Sequence, residues 1–337
     1  MKKIIAMLLT VLMLLTLGAC SSNDNGGSNP SGDSTADNTT YKVGILQLMT
    51  HGSLDEAREG MKDYLKENGY VEGENVEYVY QNPEGDQSNL STMADSLINE
   101  KCDVIVAIAT SPAQVLMQTN IDTPIVGTAI TDYVGSGLVE SDEHPGGYIT
   151  GVSDYFSSDK QVELIQELVS GVKKVGVLYT SSETNSEIQA NEMVSALESA
   201  GIEAIVKTTP DKNSTSETIT ALANEKVEAI YIPTDNNLAA SMGSVLQSVE
   251  EYGLPVVVGA TAMVTDGGLA NVGVDYYNIG QLTGELVVKI LEGANPGDLP
   301  IVYQEEGAIN YNSKVAKRIG YEIPASIKEK GTDLGAE

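Results

Sequence analysis

The chain has 337 residues, with 19 Lys and Arg against 48 Asp and Glu, a formal net charge of −29, no tryptophan, and one phenylalanine against 16 tyrosines. So acidic a surface repels nucleic acid and anionic lipid headgroups, which excludes both as expected partners. Two histidines and two cysteines are too few for a histidine-rich metal site or a disulfide framework, and no metal or cofactor is expected.

The first nineteen residues carry Lys2 and Lys3, an apolar run from Ile4 to Leu17, and Leu17-Gly18-Ala19 before Cys20. The run is too short to span a bilayer and ends in small residues at a cleavage point, which predicts an export signal over 1–19. Cys20 is the expected lipidation site, placing the protein on the extracytoplasmic face of the cell membrane; an ordinary signal with a chance cysteine is the alternative. Ser21 to Thr40 is Ser, Asn, Asp and Gly without a large apolar residue, so 20–40 reads as a lipidated cysteine and a flexible tether reaching roughly 25 Å. Without the two signal lysines, 17 basic residues face 48 acidic ones, a formal charge of −31. Cys102, at the start of a strand, reads as a buried structural thiol.

From Tyr41 onward the chain repeats itself. "KVGILQ" at Lys42 returns as "KVGVLY" at Lys174, "NEKCDVIVAIAT" at Asn99 as "NEKVEAIYIPTD" at Asn224, and "TPIVG" at Thr123 as "LPVVVG" at Leu254. Three matches in one order at nearly one offset indicate a duplicated unit. Within each unit β-branched runs alternate with helical patterns, one face marked by Leu54, Ala57, Met61, Tyr64 and Leu65, another by Leu238, Met242, Val245, Leu246 and Val249. Such alternation makes parallel sheets covered on both faces, so the fold class is α/β with two Rossmann-like lobes. "GVSDY" at Gly151 and "GVDYY" at Gly273 close the two halves alike, which predicts crossings between lobes near 151, 275 and 305 and a three-crossover hinge around a cleft. Lobe 1 is expected over 41–151 plus about 277–303, lobe 2 over 152–276 plus about 304–337.

Ligands of open α/β sheets sit outside the carboxyl ends of the strands, here Gln47, Thr110 and Thr131 in one lobe and Thr180, Thr234 and Thr261 in the other. Ser111 and Pro112 read as the N-cap and first residue of a helix, whose free N–H groups, with the hydroxyls of Thr110 and Ser111, would receive a carboxylate. A plain helix cap is the alternative. Arg58 and Arg318, the two arginines, lie away from strand ends, so a singly charged carboxylate met by dipoles fits better than a phosphate or dicarboxylate. Asp132, Asp154, Glu183, Asp235 and Asp275 gather at the expected cleft, where one or two would neutralise an ammonium group. A carboxylate site opposite an ammonium site describes an α-amino acid. Tyr133, Tyr155, Tyr179, Tyr276 and Tyr277 fall near strand ends or crossings, where a ring could stack on an aromatic ligand or simply fill the core. His51, just past the first strand, could touch ligand or serve the loop or helix entry. No G-x-S-x-G elbow, Walker loop or G-x-G-x-x-G occurs, which removes the usual supports for an enzyme.

The segments "GYVEGENVEYVYQNPEGDQSNL", "VIVAIATSPAQ", "AITDYVGSGLV", "GVSDYFSSDKQVELI", "GVLYTSSETNS", "IYIPTDN" and "LANVGVDYYNIGQLTG" resemble the ABC-transporter substrate-binding lipoproteins similar to tryptophan- and tyrosine-binding proteins. The likeness runs over Tyr41 to Pro324. It implies the type I periplasmic-binding-protein fold, closing on a free aromatic amino acid, tyrosine ahead of tryptophan or phenylalanine, and passing it to permease and ATPase subunits. It implies a monomer. Carried over by position, it implies ligand contacts from Gln47, Thr110 and Ser111, from Ser153 and Asp154 at the first crossing, from Asn185, Thr234 and Asp235, and from Asp275 at the second crossing. Ser111 and the Tyr155-Phe156 pair depart from the family pattern, which commonly has another small residue and an aliphatic stretch there. A surface protein acting in adhesion, or a binder of branched-chain amino acids, is the competing expectation.

Overall fold

The computed structural model describes residues 40–119, 122–304 and 307–336. The expected export signal, the expected lipidation site Cys20 and the tether as far as Thr39 lie outside the described residues.

Two sheets organise the fold. β1 (Tyr41–Gln47), β2 (Val76–Gln81), β3 (Val104–Ile108), β4 (Ile125–Ile130) and β5 (Ile149–Ser153) belong to the first, and β6 (Lys174–Thr180), β7 (Glu203–Thr209), β8 (Ala229–Ile232), β9 (Val256–Val258) and β10 (Ala270–Gly273) to the second. The chain then returns to the first sheet with β11 (Val302–Tyr303) and again to the second with β12 (Ala308–Tyr311) and β13 (Thr332–Asp333). The orders are β2-β1-β3-β4-β5-β11 and β7-β6-β8-β9-β10-β12-β13. The first five strands of each sheet thus share one arrangement, as a duplicated unit requires. Among the described strands only β12 pairs antiparallel, with β10.

The helices follow the strands they cover. They are α1 (Gly52–Glu67), α2 (Gln87–Asn99), α3 (Thr110–Met117), α4 (Ser158–Leu168), α5 (Thr184–Ser199), α6 (Thr215–Asn224), α7 (Asn236–Ala239), α8 (Met242–Glu250), α9 (Thr261–Asp266), α10 (Tyr276–Leu291), α11 (Ser313–Arg318) and α12 (Ala325–Lys330). Val104 to Ile108 are buried at every position, because β3 has helices on both faces. The chain passes between sheets after β5, after β10 and after β11, the last through residues 305 and 306, which are not described. No helix among the described residues is long and apolar enough to cross a membrane.

Two local features differ from the sequence reading. The apolar face from Leu238 to Val249 is buried throughout, but it belongs to two helices, α7 and α8. At the break, the Ser241 hydroxyl donates to the Asn237 carbonyl at 2.8 Å, a local bond that competes with helix continuation. The helix after β3 begins at Thr110, with Ala109 and not Ser111 as its cap, so Pro112 stands third in the first turn.

α1 and α10 pack backbone against backbone. A Cβ on Gly280 would lie 2.1 Å from the Ala57 carbonyl oxygen, and one on Gly60 would lie 2.1 Å from that of Tyr277. Only glycine permits this approach. The contact fixes the start of α1 relative to the second crossing, and both ends face the same cavity.

Candidate functional site

A narrow cavity of about 10 Å³, room for about one water molecule, lies between the carboxyl ends of the two sheets. In this arrangement the space is too small for an amino acid, which would need the lobes to part. Its first wall is His51, Ser53 and Leu54 at the start of α1, with Ala129 at the end of β4. The second wall is Thr234, Asp235, Asn236 and Ala239 around α7, with Ala260 and Met263 at α9. Asp154 and Tyr276, at the first two crossings, complete it.

Three buried polar atoms of the lining have no partner: His51 Nδ1, Ser53 Oγ and Asp154 Oδ1. Native proteins leave few such atoms, so each marks a place where a ligand group would complete the bonding. The other carboxylate oxygen of Asp154 accepts the Tyr276 hydroxyl. Burial raises the Asp154 carboxyl above its ordinary range, and no cation of the protein lies among the lining residues to offset it. A ligand ammonium at Oδ1 would supply both the missing donor and the missing charge.

The start of α1 offers the opposite chemistry. Its first turn closes with the Asp55 N–H on the His51 carbonyl, so the N–H groups of Gly52, Ser53 and Leu54 precede the hydrogen-bond ladder. No side chain caps them; His51 occupies the cap position without a capping bond. Free N–H groups, the helix dipole and the Ser53 hydroxyl together form a receptor for a carboxylate.

The backbone is strained where the first sheet meets this space. Ala109 and Ala129 both have positive φ, 91° and 55°, at the ends of β3 and β4. Side chains rarely adopt this region, and such strain concentrates at binding sites.

Hydrogen bonds span the cleft. His51 Nε2 meets Asn236 Oδ1 at 3.1 Å, and Gln189 Nε2 donates to both Thr131 Oγ1 at 3.0 Å and Thr234 Oγ1 at 2.6 Å. Behind the second wall, Asp235 accepts the Thr180 N–H at 2.6 Å, the Thr180 hydroxyl at 2.8 Å and the Leu238 N–H at 2.9 Å. Glu183 accepts four bonds of 2.7–2.9 Å from the backbone and side-chain amides of Asn236 and Asn237. Burial and the nearby charge of Asp235 nevertheless push Glu183 up to about 7.

Of the ten residues expected at the ligand, Asp154, Thr234 and Asp235 line the cavity, and of these Asp235 has its oxygens engaged as a helix cap. Gln47 is buried in a network with Asp55, Arg58 and the Met49 carbonyl. Thr110 is buried with its hydroxyl unpartnered but is not part of the lining, while Ser111 faces an outer groove with Gln114, Glu183 and Asn237. Asp132 caps a turn by accepting the Gly135 N–H, and Ser153 is spent on the Thr131 carbonyl and the Tyr155 N–H. Asn185 donates to the Thr234 carbonyl within the second wall. Asp275 caps α10 and faces a separate pocket with Glu56 and Tyr277.

Among the tyrosines, Tyr276 reaches the cavity, whereas Tyr133 is sealed in the first lobe and Tyr155 and Tyr277 are exposed. Ser53 was not singled out in the sequence. Its signal is positional: a small hydroxyl residue in the first turn of the helix after the first strand.

The sequence profile of the ABC transporter substrate binding protein family matches residues 42–334. The chain belongs to this family. A tyrosine-binding protein of Clostridioides difficile (strain R20291) is 35% identical over 319 residues, covering 94% of this chain and 92% of the relative. The crystal structure of an ABC domain in complex with L-Trp from Streptococcus pneumonia is 38% identical, with TM-score 0.83 over 87% of this chain and 100% of that one. A ligand-free, open substrate-binding protein with adhesive properties from Clostridium difficile is 34% identical over 87% and 99% of the two chains, with TM-score 0.67. Solved structures at 14–15% identity share the type I periplasmic-binding-protein fold. Members of the family are substrate-binding proteins of ABC transporters and not enzymes.

Proposed function

We propose that this protein captures a free aromatic amino acid, tyrosine ahead of tryptophan or phenylalanine, and delivers it to the permease and ATPase subunits of an ABC importer. The observation that carries the reading is the pairing, in one cavity, of the unpartnered Asp154 carboxylate oxygen with the uncapped start of α1 at Ser53. One end suits an ammonium and the other a carboxylate, and Leu54, Ala129, Ala239, Ala260 and Met263 offer apolar surface between them. The ligands named for the tyrosine-binding and L-Trp-bound relatives support the aromatic class.

In this reading the protein is a monomeric lipoprotein, cleaved after residue 19, held by Cys20 at the extracytoplasmic face of the cell membrane and raised on the 20–40 tether. Lobe 1 comprises 41–151 with about 277–303, and lobe 2 comprises 152–276 with about 304–337; sheet membership supports these limits.

Calorimetric titration with the twenty amino acids tests the reading. Saturable binding of tyrosine or tryptophan, with aliphatic amino acids weaker by at least tenfold, is expected. Tight binding of leucine, isoleucine or valine alone would replace the aromatic class with the branched-chain one, and no binding of any amino acid would overturn the site.

A further inference from the structure

The cavity presents a charge problem. A zwitterionic amino acid brings an ammonium, which Asp154 neutralises, and a carboxylate, for which no lysine or arginine lies among the lining residues. Arg58, the arginine of α1, is committed to Gln47, Asp55, Glu59 and Tyr80. The titratable side chain standing at the start of α1 is His51, at the cap position, partly buried, with its Nδ1 atom buried and unpartnered.

The proton on its other nitrogen can be assigned. Above about pH 7, where Glu183 is a carboxylate, it can only accept from its neighbours, so the Asn236 side chain turns its amide Nδ2 toward Glu183, at 2.7 Å. Asn236 Oδ1 then faces His51, and an oxygen can only accept. His51 Nε2 is therefore the donor in the 3.1 Å bond across the cleft, and Nδ1 is the atom free to gain a proton.

We propose that His51 is the counter-charge of the ligand's carboxylate, taking one proton from solvent onto Nδ1 as ligand enters, so that the imidazolium donates through Nε2 to Asn236 and through Nδ1 to the carboxylate. This rests on the amino-acid reading above. No bond is made or broken other than the N–H formed with a solvent proton. Before binding, burial keeps the ring neutral. The groups around it are acidic or neutral on every side: Asp55 on α1, Asp266 on α9 beside Gly52, Glu183 behind Asn236, Asp235 at the start of α7, and Asp154 with Tyr276 across the cavity. None opposes an imidazolium, and an added carboxylate at the start of α1 raises its proton affinity further.

The linkage has a definite sign. Burial lowers the proton affinity of His51 in the free protein and a bound carboxylate would raise it, so affinity strengthens as pH falls through the histidine range, by up to about tenfold per pH unit.

The test uses L-tyrosine, with tyramine as a probe lacking the carboxylate. Calorimetry at pH 7.5 in buffers of different ionisation enthalpy counts protons taken up on binding. Any change at Asp154 is common to wild type and His51→Gln, so their difference isolates His51. A difference approaching one proton for tyrosine, and near zero for tyramine, is expected. Because the chain has two histidines, and the other, His144, is exposed, imidazole nitrogen NMR of the wild type reads Nδ1 directly without relying on a variant. Protonation of His51 on adding tyrosine supports the assignment. Tyrosine binding with His51 still neutral, or affinity that weakens as pH falls through the histidine range, overturns it and leaves the amino-acid site standing. Failure of tyrosine and every other amino acid to bind would instead remove the site itself.

Discussion

The two walls of the cavity descend from one repeated unit but carry their polar groups in opposite states. At equivalent positions of the repeat, Thr110 opens the helix after β3 and Asp235 caps the helix after β8. The Thr110 hydroxyl is buried without a partner, while Asp235 accepts three hydrogen bonds. The same contrast extends outward: the first wall holds the open atoms of His51 and Ser53, and the second is saturated by Glu183, Gln189 and Asn185. Saturation makes a wall rigid, and unsatisfied groups give it something to bind. The first lobe thus holds the unpartnered polar atoms and the second a pre-bonded face with apolar side chains, with Asp154 at the first crossing.

Breaking the recognition side gives the largest effect. Asp154→Asn removes the charge that would meet the ammonium and is expected to weaken tyrosine binding by about 3–4 kcal/mol, two to three orders of magnitude in Kd measured by calorimetry. Its melting temperature should not fall, because the carboxyl is held in its raised state by burial.

The two lobes can be compared directly through the equivalent positions of the repeat. Asp235→Ala strands the buried N–H groups of Thr180 and Leu238 and is expected to cost about 2–3 kcal/mol of folding stability by denaturant titration. Thr110→Val, which replaces an unpartnered buried hydroxyl by a methyl of similar size, is expected to change stability by less than about 0.5 kcal/mol. Equal losses for the two would erase the distinction drawn between the walls.

The saturated side also carries a pH dependence. Glu183 is raised from 4.5 to about 7, so the folded state holds its proton more tightly than the unfolded one. Stability is then greatest below about 4.5 as far as this group is concerned, and falls as pH rises toward 7, at no more than about 1.4 kcal/mol per unit. The thermal midpoint should rise on going from pH 8 to pH 6, and Glu183→Gln should flatten that slope.

Repeats and strand ends were legible because both are written in local pattern. The offset matches announce two copies, and alternating β-branched runs and helical faces announce parallel sheets, so the strand ends could be numbered in advance. Asp154 was one of five acids placed at the cleft by the same pattern, here as an acid directly after the strand that closes the first half. Gln47, Ser153 and Asn185 are also polar residues at strand ends or crossings, but they are consumed by neighbours at 2.7–2.9 Å. Nothing in a linear pattern says which polar group finds a partner within its own lobe.

By itself the sequence determined the class of fold, the duplication, the acidic and arginine-poor cleft and the family resemblance, because these depend on composition and on spacings within a few tens of residues. Tertiary structure decided which polar atoms stay open. The start of α1 becomes a carboxylate receptor because Gly60 and Gly280 bring α1 and α10 into backbone contact, fixing that end beside the crossing that holds Tyr276. His51 becomes a candidate counter-charge because Asn236, 185 residues away, is turned by Glu183 to face it. Such assignments depend on distances between chain segments far apart in sequence, and only the closed packing of both lobes sets them.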